Sequence, residues 1–286
     1  MKRNLERVIA TTLLLAGCAT TQPNPLSLAE FLRLQRHTHI EHVRVFEGRS
    51  NSERRELLKD MLRSKGYDFR VHHYSDGSYL GENIIFEVGE GKRALVLTAH
   101  HDTYPGSPGA NDDASCISSM LDAYGKLKAS PPKNAKIRFI VFDQEEERLK
   151  GSKAYVNNTD LSDVGGVLSL EFCGIGNKIY VWDLVIPKIR ESLLFRTVIE
   201  TLEKDNIPYA TYGSFGQRTS DHASFFITDI PSFGLVVLPG GISALRPFNY
   251  NHSHLDTSST LEESAMQLMS NVVYGIVRKF DEKFSR

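Results

Sequence analysis

The stretch TAHHDTYPGSPGANDDASC, from Thr98 to Cys116, decides how the rest of the chain is interpreted. It follows the apolar run Ala94 to Leu97 and leads into a helical pattern. It holds two histidines, three aspartates, two glycines and two prolines, a composition typical of a turn-rich loop rather than of a packed core. We expect this loop to supply His100 and Asp112 to a site that binds two metal ions.

Short apolar runs predict strands that are buried on both faces. They are Ala94 to Leu97, Ile137 to Phe142, Gly166 to Leu170 and Gly234 to Leu238. Helical patterns lie between them, so we predict an α/β fold, a three-layer sandwich with a mostly parallel central sheet flanked by helices. One domain is expected over residues 27–286.

Helices and an edge hairpin complete the predicted layout. The helical patterns cover 27–47, 52–65, Ile117 to Leu127, Lys188 to Glu203 and Leu261 to Phe280. Phe69 to Tyr74 and Asn83 to Val88 surround a Ser-Asp-Gly-Ser turn, which predicts a hairpin at the edge of the sheet.

The predicted buried strands all lead to residues that can bind metal. In chain order, the strands are followed by His100, by Gln144 to Glu147, by Glu171, and by a loop that carries His252. In open α/β sheets, sites form beyond the carboxyl ends of the strands. We therefore expect these imidazole and carboxylate groups to meet at one rim of the sheet.

Imidazole and carboxylate together suit zinc, and two zinc ions need a bridging carboxylate between them. Asp112 lies in the middle of the loop, where it can bridge. Asp102 follows His100 by two residues and can orient its ring. Glu145 and Glu146 are adjacent at a strand end, so one can bind metal while the other acts as a base.

Five motifs occur in order along the chain. They are His100-x-Asp102, Gly109-Ala-Asn-Asp-Asp-Ala-Ser115, Glu145-Glu146 followed by Gly151-Ser152, Ser220-Asp221-His222, and His252-x-x-x-Asp256. Together they resemble the bacterial co-catalytic di-zinc aminopeptidases, family twenty-eight of the metallopeptidases, over roughly Asn83 to Phe280.

The resemblance implies a site with two zinc ions and a peptide substrate. It implies that His100 and Glu171 bind one zinc ion, that Glu146 and His252 bind the other, and that Asp112 bridges the two ions. Glu145 is then the general base for a zinc-bridged hydroxide that attacks a peptide carbonyl and releases the N-terminal residue. Asp102 would support the ligands, and the peptide bond between Asp112 and Asp113 is cis in relatives.

Three positions depart from the family pattern. Glu171 stands where the family usually has Asp, Arg148 where Gly is common, and Cys116 where Gly usually follows the serine. Glu171 lengthens a ligand by one methylene, and Arg148 narrows the rim of the site. None of the changes removes a type of ligand, so we expect an active enzyme.

The N-terminus predicts a lipoprotein. Residues 1–17 combine a basic segment with a short apolar run, as a signal peptide does. Leu15-Ala16-Gly17-Cys18 resembles the bacterial lipobox, which implies cleavage before Cys18, lipid attachment to its sulfur, and a polar tether over residues 18–26. Ala19 resembles the outer-membrane sorting choice, so we expect a lipid-anchored domain in the periplasm or at the cell surface.

The remaining composition gives no case for other partners. A formal charge of -1 does not favour nucleic acid. No later apolar stretch reaches about 18 residues, so membrane contact is expected through the lipid alone. Cys116 and Cys173 can form a disulfide in an oxidising compartment or remain buried thiols. His101 and His254 are expected to be packing or rim residues, and Ser220-Asp221-His222 to shape a loop or face the substrate.

Three other functions compete with the aminopeptidase. A glutaminyl cyclase uses one zinc on the same scaffold, but such enzymes tend to place Trp near the site, and we expect Trp182, the only Trp, to lie elsewhere. A related carboxypeptidase or deacylase usually has a lid domain, for which the roughly eighty residues between Glu171 and His252 leave no room. A peptidase fold without metals is disfavoured by the intact ligand set.

Overall fold

The computed structural model describes residues 23–34, 37–77, 79–184, 187–213, 219–241 and 249–284. The expected signal peptide, Cys18 and the tether as far as residue 22 lie outside the described residues, so the lipoprotein hypothesis stays a prediction. None of the described helices is both long and apolar enough to cross a membrane.

Eight strands form one mixed sheet. They are β1 (Arg70–Asp76), β2 (Tyr79–Val88), β3 (Arg93–His100), β4 (Ala135–Phe142), β5 (Val164–Glu171), β6 (Lys178–Trp182), β7 (Tyr209–Thr211) and β8 (Ser232–Leu238). Their order in the sheet is β1-β2-β4-β3-β5-β8-β6-β7. The four central strands, β4-β3-β5-β8, pair in parallel, whereas β1–β2, β2–β4 and β6–β8 are antiparallel.

The predicted α/β fold and its edge hairpin are confirmed, with one difference in the sheet. Four of the seven strand pairs are parallel, including β6–β7 at the edge, and the three antiparallel pairs lie in the outer parts of the sheet. Strands β6 and β7 were not predicted from the sequence. They have five and three residues, too few for a period-two pattern to be distinguished from a loop.

Helices cover both faces of the sheet. They are α1 (Leu28–Phe31), α2 (His39–Phe46), α3 (Asn51–Ser64), α4 (Ser115–Ala129), α5 (Lys150–Asn158), α6 (Pro187–Glu191), α7 (Leu193–Lys204) and α8 (Glu263–Lys283). Two predicted helices are each divided. Thr38 caps α2 by accepting the Glu41 N–H, and Ser192 caps α7 by accepting the Phe195 N–H, so a new helix begins at each point.

The central strands are buried on both faces. Side chains alternate along β3, where Leu95 and Leu97 pack into the larger core with α4 and α8, while Val96 packs into a second core with Tyr155 of α5 and Phe225. Because both faces are occupied by packing, the ends of the strands are the places where polar side chains can converge.

Candidate active site

Asp112 lies between two imidazole rings. Its Oδ1 is 3.1 Å from Nε2 of His100, and its Oδ2 is 3.4 Å from Nε2 of His252. The chain turns sharply here, and the peptide bond between Asp112 and Asp113 is cis. The two oxygens of one buried carboxylate therefore face two different histidines, as a bridging ligand requires.

Each histidine has a second carboxylate beside it. Nε2 of His100 is 3.9 Å from Oε2 of Glu171, and Nε2 of His252 is 3.0 Å from Oε2 of Glu146. The five side chains predicted to bind metal thus form two adjoining sets that share Asp112. Ligand atoms of His100, Asp112 and Glu146 all lie within 4.8 Å of one another.

Asp113 also comes close to this cluster. Its carboxylate groups with His100 and Glu171 within 4.8 Å. However, Oδ2 of Asp113 accepts the backbone N–H of His100 at 3.1 Å. One of its oxygens is therefore already engaged, and we regard Asp112 as the residue that spans both sets.

The donors fit divalent cations. Oε1 of Glu146 and Oδ1 of Asp113 are buried without a hydrogen-bond partner among the described residues. Burial raises the pKa of Glu171 to about 8 and that of Glu145 well above its usual range. A buried carboxylate oxygen without a hydrogen-bond partner is energetically unfavourable unless a cation binds it. Zn²⁺ binds the carboxylate and imidazole donors that are present here.

Asp112 and His252 attract each other strongly. Burial alone would raise the pKa of Asp112, but hydrogen bonding to His100 and His252 outweighs it and holds that pKa below the usual range. Hydrogen bonds to Asp112 and Glu146 raise the pKa of His252 to about 10. A cation that binds here must displace a proton from His252, so metal binding will weaken as the pH falls.

Asp102 connects the two halves of the cluster. Its carboxylate oxygens accept the backbone N–H groups of Glu145 and Glu146, at 3.0 and 3.1 Å. Nδ1 of His100 lies 3.4 Å from Oδ1 of Asp102 and 3.1 Å from its carbonyl oxygen. One residue therefore faces the far nitrogen of the His100 ring and also holds the turn that carries Glu145 and Glu146.

Arg54 holds the loop that carries Asp112 through hydrogen bonds, a role that was not predicted from the sequence. This fully buried guanidinium donates hydrogen bonds to the carbonyl oxygens of His101, Phe46 and Gly109, at 2.5, 3.2 and 3.2 Å. Arg54 lies in α3, where arginine is usually read as a solvent-exposed helix residue. No local pattern in the sequence signals its burial.

Asp256 also holds this loop through backbone contacts. Its carboxylate accepts the N–H groups of Asn111 and Asp112 at 2.7 and 3.1 Å. This aspartate closes the last of the five sequence motifs, so its presence near the site was signalled even though its contacts were not.

The Ser220-Asp221-His222 segment does not form a triad. The Ser220 hydroxyl donates to Oε1 of Glu171 and is also joined through Ser169 to Thr98 of β3, with 2.9 Å between successive hydroxyls. His222 lies 2.9 Å from Asp183 instead. Ser220 thus orients Glu171, while Asp221 is buried and burial raises its pKa to about 7.

A cavity of about 440 Å³ opens onto the cluster. Its lining consists of Asp112, Glu145, Glu146, Arg148, Leu149, Glu171, Phe172, Trp182, Thr219, Asn251 and His252. The expectation that Trp182 lies away from the site is wrong. Trp182 ends β6, an unpredicted strand that pairs with β8, and it lies opposite Gly234 with its side chain in the cavity wall. His101, in contrast, is buried as expected, whereas His254 is exposed.

A disulfide joins Cys116 to Cys173, with Cα atoms 5.1 Å apart. Cys116 lies at the start of α4, directly after the loop that carries Asp112. Cys173 follows Glu171 by two residues at the end of β5. The sequence left open a disulfide or two buried thiols, and the structure has the disulfide. It connects the segment that follows Asp112 to the segment that follows Glu171.

A sheet that gathers histidines and carboxylates at the ends of its parallel strands is typical of α/β proteins that bind metal ions at this rim. The sequence profile of Peptidase family M28 matches residues 83–277, and the chain belongs to this family. The resemblance inferred from the five motifs is confirmed.

Individual relatives agree with this assignment. The probable lipoprotein aminopeptidase LpqL of Mycobacterium tuberculosis is 28% identical over 231 residues, covering 71% of this chain and 46% of the relative. The structure of BSAP, a zinc aminopeptidase from Bacillus subtilis, superposes with a TM-score of 0.62 at 25% identity, covering 71% of this chain and 51% of that chain.

A glutaminyl cyclase shares the fold. The Acidobacteriales bacterium enzyme has a TM-score of 0.69 at 16% identity, covering 86% of this chain and 94% of that chain. By contrast, this chain spans less than half the length of curated relatives such as LpqL and aminopeptidase YwaD of Bacillus subtilis, of which it covers 46% and 41%.

Proposed function

We propose that this protein is a zinc aminopeptidase that hydrolyses the first peptide bond of peptides with a free N-terminus. The observation that carries the proposal is that Asp112 presents its two oxygens to His100 and His252, each of which has its own second carboxylate. A centre for two metal ions is the arrangement that uses all of these donors.

The proposed roles follow the geometry. His100 and Glu171 would hold one zinc ion, Glu146 and His252 the other, and Asp112 would span both. When bound, zinc would polarise the scissile carbonyl and lower the pKa of water at the site. Ser220 holds Glu171, and Asp102 holds the His100 ring and the Glu145–Glu146 turn.

Glu145 is the proposed general base. It lines the cavity but belongs to neither set of clustered donors, and burial keeps its pKa well above that of an ordinary glutamate. Such a carboxylate takes the proton of the attacking water and passes it to the leaving amine as the C–N bond breaks. The products are a free amino acid and a peptide that is one residue shorter.

A single-zinc glutaminyl cyclase is the second candidate. The observation that favours it is Trp182 in the cavity wall, because cyclases tend to have an indole near their site. Asn251, rather than the Trp that those enzymes tend to have, precedes His252 and also lines the cavity. The aminopeptidase hypothesis accounts for both sets of donors, and so we prefer it.

We further propose that the domain is held at the bacterial outer membrane by lipid on Cys18. The proposal rests on the lipobox resemblance and is supported by the similarity to LpqL, a probable lipoprotein. Labelling with a radioactive fatty acid should mark the wild-type protein and not Cys18→Ser.

One paired experiment tests the proposed activity. Zinc content is measured on purified protein, which is then assayed with aminoacyl anilides, dipeptides and N-terminal glutaminyl peptides. We expect two zinc ions per chain and release of free amino acids. One zinc ion with release of ammonia from glutaminyl peptides, and no amino acid from any substrate, would establish the cyclase instead.

A further inference from the structure

Arg148 lies in the wall of the cavity, two residues after Glu146, and its side chain is exposed. Nearby Lys150 pairs with Asp76 at 3.0 Å, and Nζ of Lys153 donates to the carbonyl oxygen of Arg148 at 2.8 Å. Among the residues that the structure describes, the Arg148 guanidinium itself has no ion pair or hydrogen-bond acceptor. Its five donors are therefore available to a ligand.

The backbone at Arg148 is held in an unfavourable conformation. Its φ is 68°, in the left-handed region, which costs a residue with a Cβ about 1–2 kcal/mol. The turn is fixed on both sides, because the Leu149 N–H donates to the Glu145 carbonyl at 2.8 Å and the Lys150 N–H to that of Gln144 at 3.0 Å. Glycine would adopt this turn without strain, and a side chain held in a strained backbone conformation at a cavity wall is a basis for a functional hypothesis.

The charged side chains that line the cavity would leave the Arg148 guanidinium without a counter-charge once two zinc ions are bound. Apart from Arg148 and His252, the charged residues of the described lining are the carboxylates of Asp112, Glu145, Glu146 and Glu171. Two Zn²⁺ ions would balance those four negative charges. Arg148 then remains as a cation that has no partner in the wall, facing the space that a peptide would occupy.

We propose that Arg148 binds a carboxylate of the substrate, so that the enzyme prefers peptides with a negative charge close to the scissile bond. Guanidinium groups pair with carboxylates through two parallel hydrogen bonds, which gives both affinity and orientation. The inference rests on the proposed peptidase function and adds the substrate class. The carboxylate can be an acidic side chain of either residue flanking the bond or the C-terminus of a dipeptide.

Four dipeptide probes separate these sources. Ala-Ala amide carries no carboxylate, Ala-Ala carries the C-terminal one, and Glu-Ala amide and Ala-Glu amide carry a side-chain carboxylate in the first or second residue. Hydrolysis is measured as kcat/KM on zinc-loaded protein. Binding is measured separately in a Glu145→Gln background through the fluorescence of Trp182, the only tryptophan, which lines the cavity.

Arg148→Gln removes the charge and keeps a side chain of similar polarity. Lys150→Gln is the matched control, because it removes a positive charge two residues away, at the start of α5 and outside the cavity lining. For at least one carboxylate probe, Arg148→Gln should weaken binding and lower kcat/KM by about tenfold to a hundredfold. Ala-Ala amide should change less than about twofold, and Lys150→Gln should leave all four probes unchanged.

The outcomes separate this inference from the proposed function. If wild-type protein hydrolyses Ala-Ala amide but Arg148→Gln alters all four probes equally or none of them, the carboxylate role of Arg148 is wrong and the peptidase remains. If Lys150→Gln has the same selective effect, long-range charge rather than contact is responsible, and the inference is also overturned. If no probe is hydrolysed by wild-type protein, the proposed function itself fails.

Discussion

The imidazole ring of His252 stacks on the phenol ring of Tyr104, with centroids 4.3 Å apart and an angle of 5° between the planes. Tyr104 belongs to the loop that carries Asp112, whereas His252 comes from a distant part of the chain. The His252 side chain is 41% exposed, so little other packing restrains it. The stack therefore holds His252 against the loop that carries Asp112.

Tyr104→Ala should lower the zinc affinity of the set of residues that contains His252. Losing an aromatic contact of this kind costs about 0.5–1.5 kcal/mol, so zinc affinity should fall about two- to tenfold. Competition with a chelator of known affinity measures the change. Tyr104→Phe keeps the ring and serves as the control. Equal zinc affinity in wild type and Tyr104→Ala would mean that the stack does not position His252.

Glu145→Gln should abolish turnover while leaving the metal site filled. The amide cannot accept a proton from water, so kcat should fall by about two to four orders of magnitude with zinc content unchanged. Glu147→Gln is the matched control, because Glu147 lies two residues away with its side chain 60% exposed. Normal activity in Glu145→Gln, or loss of zinc, would contradict the assignment of Glu145 as base.

The residues at the rim of the sheet could be predicted because the sequence patterns that indicate them are local. Each buried strand is a short apolar run, and the parallel pairing of the central strands brings their carboxyl ends to one edge. His100 ends β3 and Glu171 ends β5, so the two residues converge although they are far apart in the sequence. Position at a strand end was enough to select both residues.

Arg54, which holds the loop, and Trp182, which lines the cavity, could not be predicted in these roles, because their positions depend on contacts between distant parts of the chain. Arg54 is an ordinary residue of an amphipathic helix until its guanidinium meets carbonyl groups of a loop that follows three strands later. Trp182 lines the cavity from β6, a five-residue strand that pairs with the distant strand β8. Neither relationship leaves a periodic or short-range pattern in the chain.

Arg54→Met should destabilise the fold and loosen the loop. The variant leaves the carbonyl oxygen of His101 buried without its donor and removes one of the donors to the carbonyl oxygens of Phe46 and Gly109, and an unsatisfied buried group costs about 1–3 kcal/mol. We expect a loss of about 1–3 kcal/mol in the free energy of unfolding, measured with urea. Arg63→Met changes an exposed arginine of the same helix and should have little effect.

Acid should destabilise the protein through His42, which does not belong to the cluster of histidines and carboxylates around Asp112. His42 is 7% exposed in α2, and both of its ring nitrogens lack a hydrogen-bond partner among the described residues. Burial, aided by the positive charge of Lys65 and by the neighbouring His39 and His37, lowers its pKa to about 3, while Asp122 opposes the shift. The imidazole is therefore neutral in the folded protein at pH values where the unfolded chain binds a proton.

The sign of the effect follows from this difference in proton binding. Below pH 6.5 the unfolded state takes up a proton that the folded state cannot hold, so stability falls as the pH decreases towards 3. Between pH 7 and pH 5 the contribution of His42 amounts to about 2 kcal/mol. His42→Leu removes it, so the variant should lose about 2 kcal/mol less than wild type over that interval in urea unfolding. His73→Asn, at an exposed histidine, should follow the wild-type profile. Parallel profiles for wild type and His42→Leu would show that His42 gains a proton in the folded state as readily as in the unfolded chain.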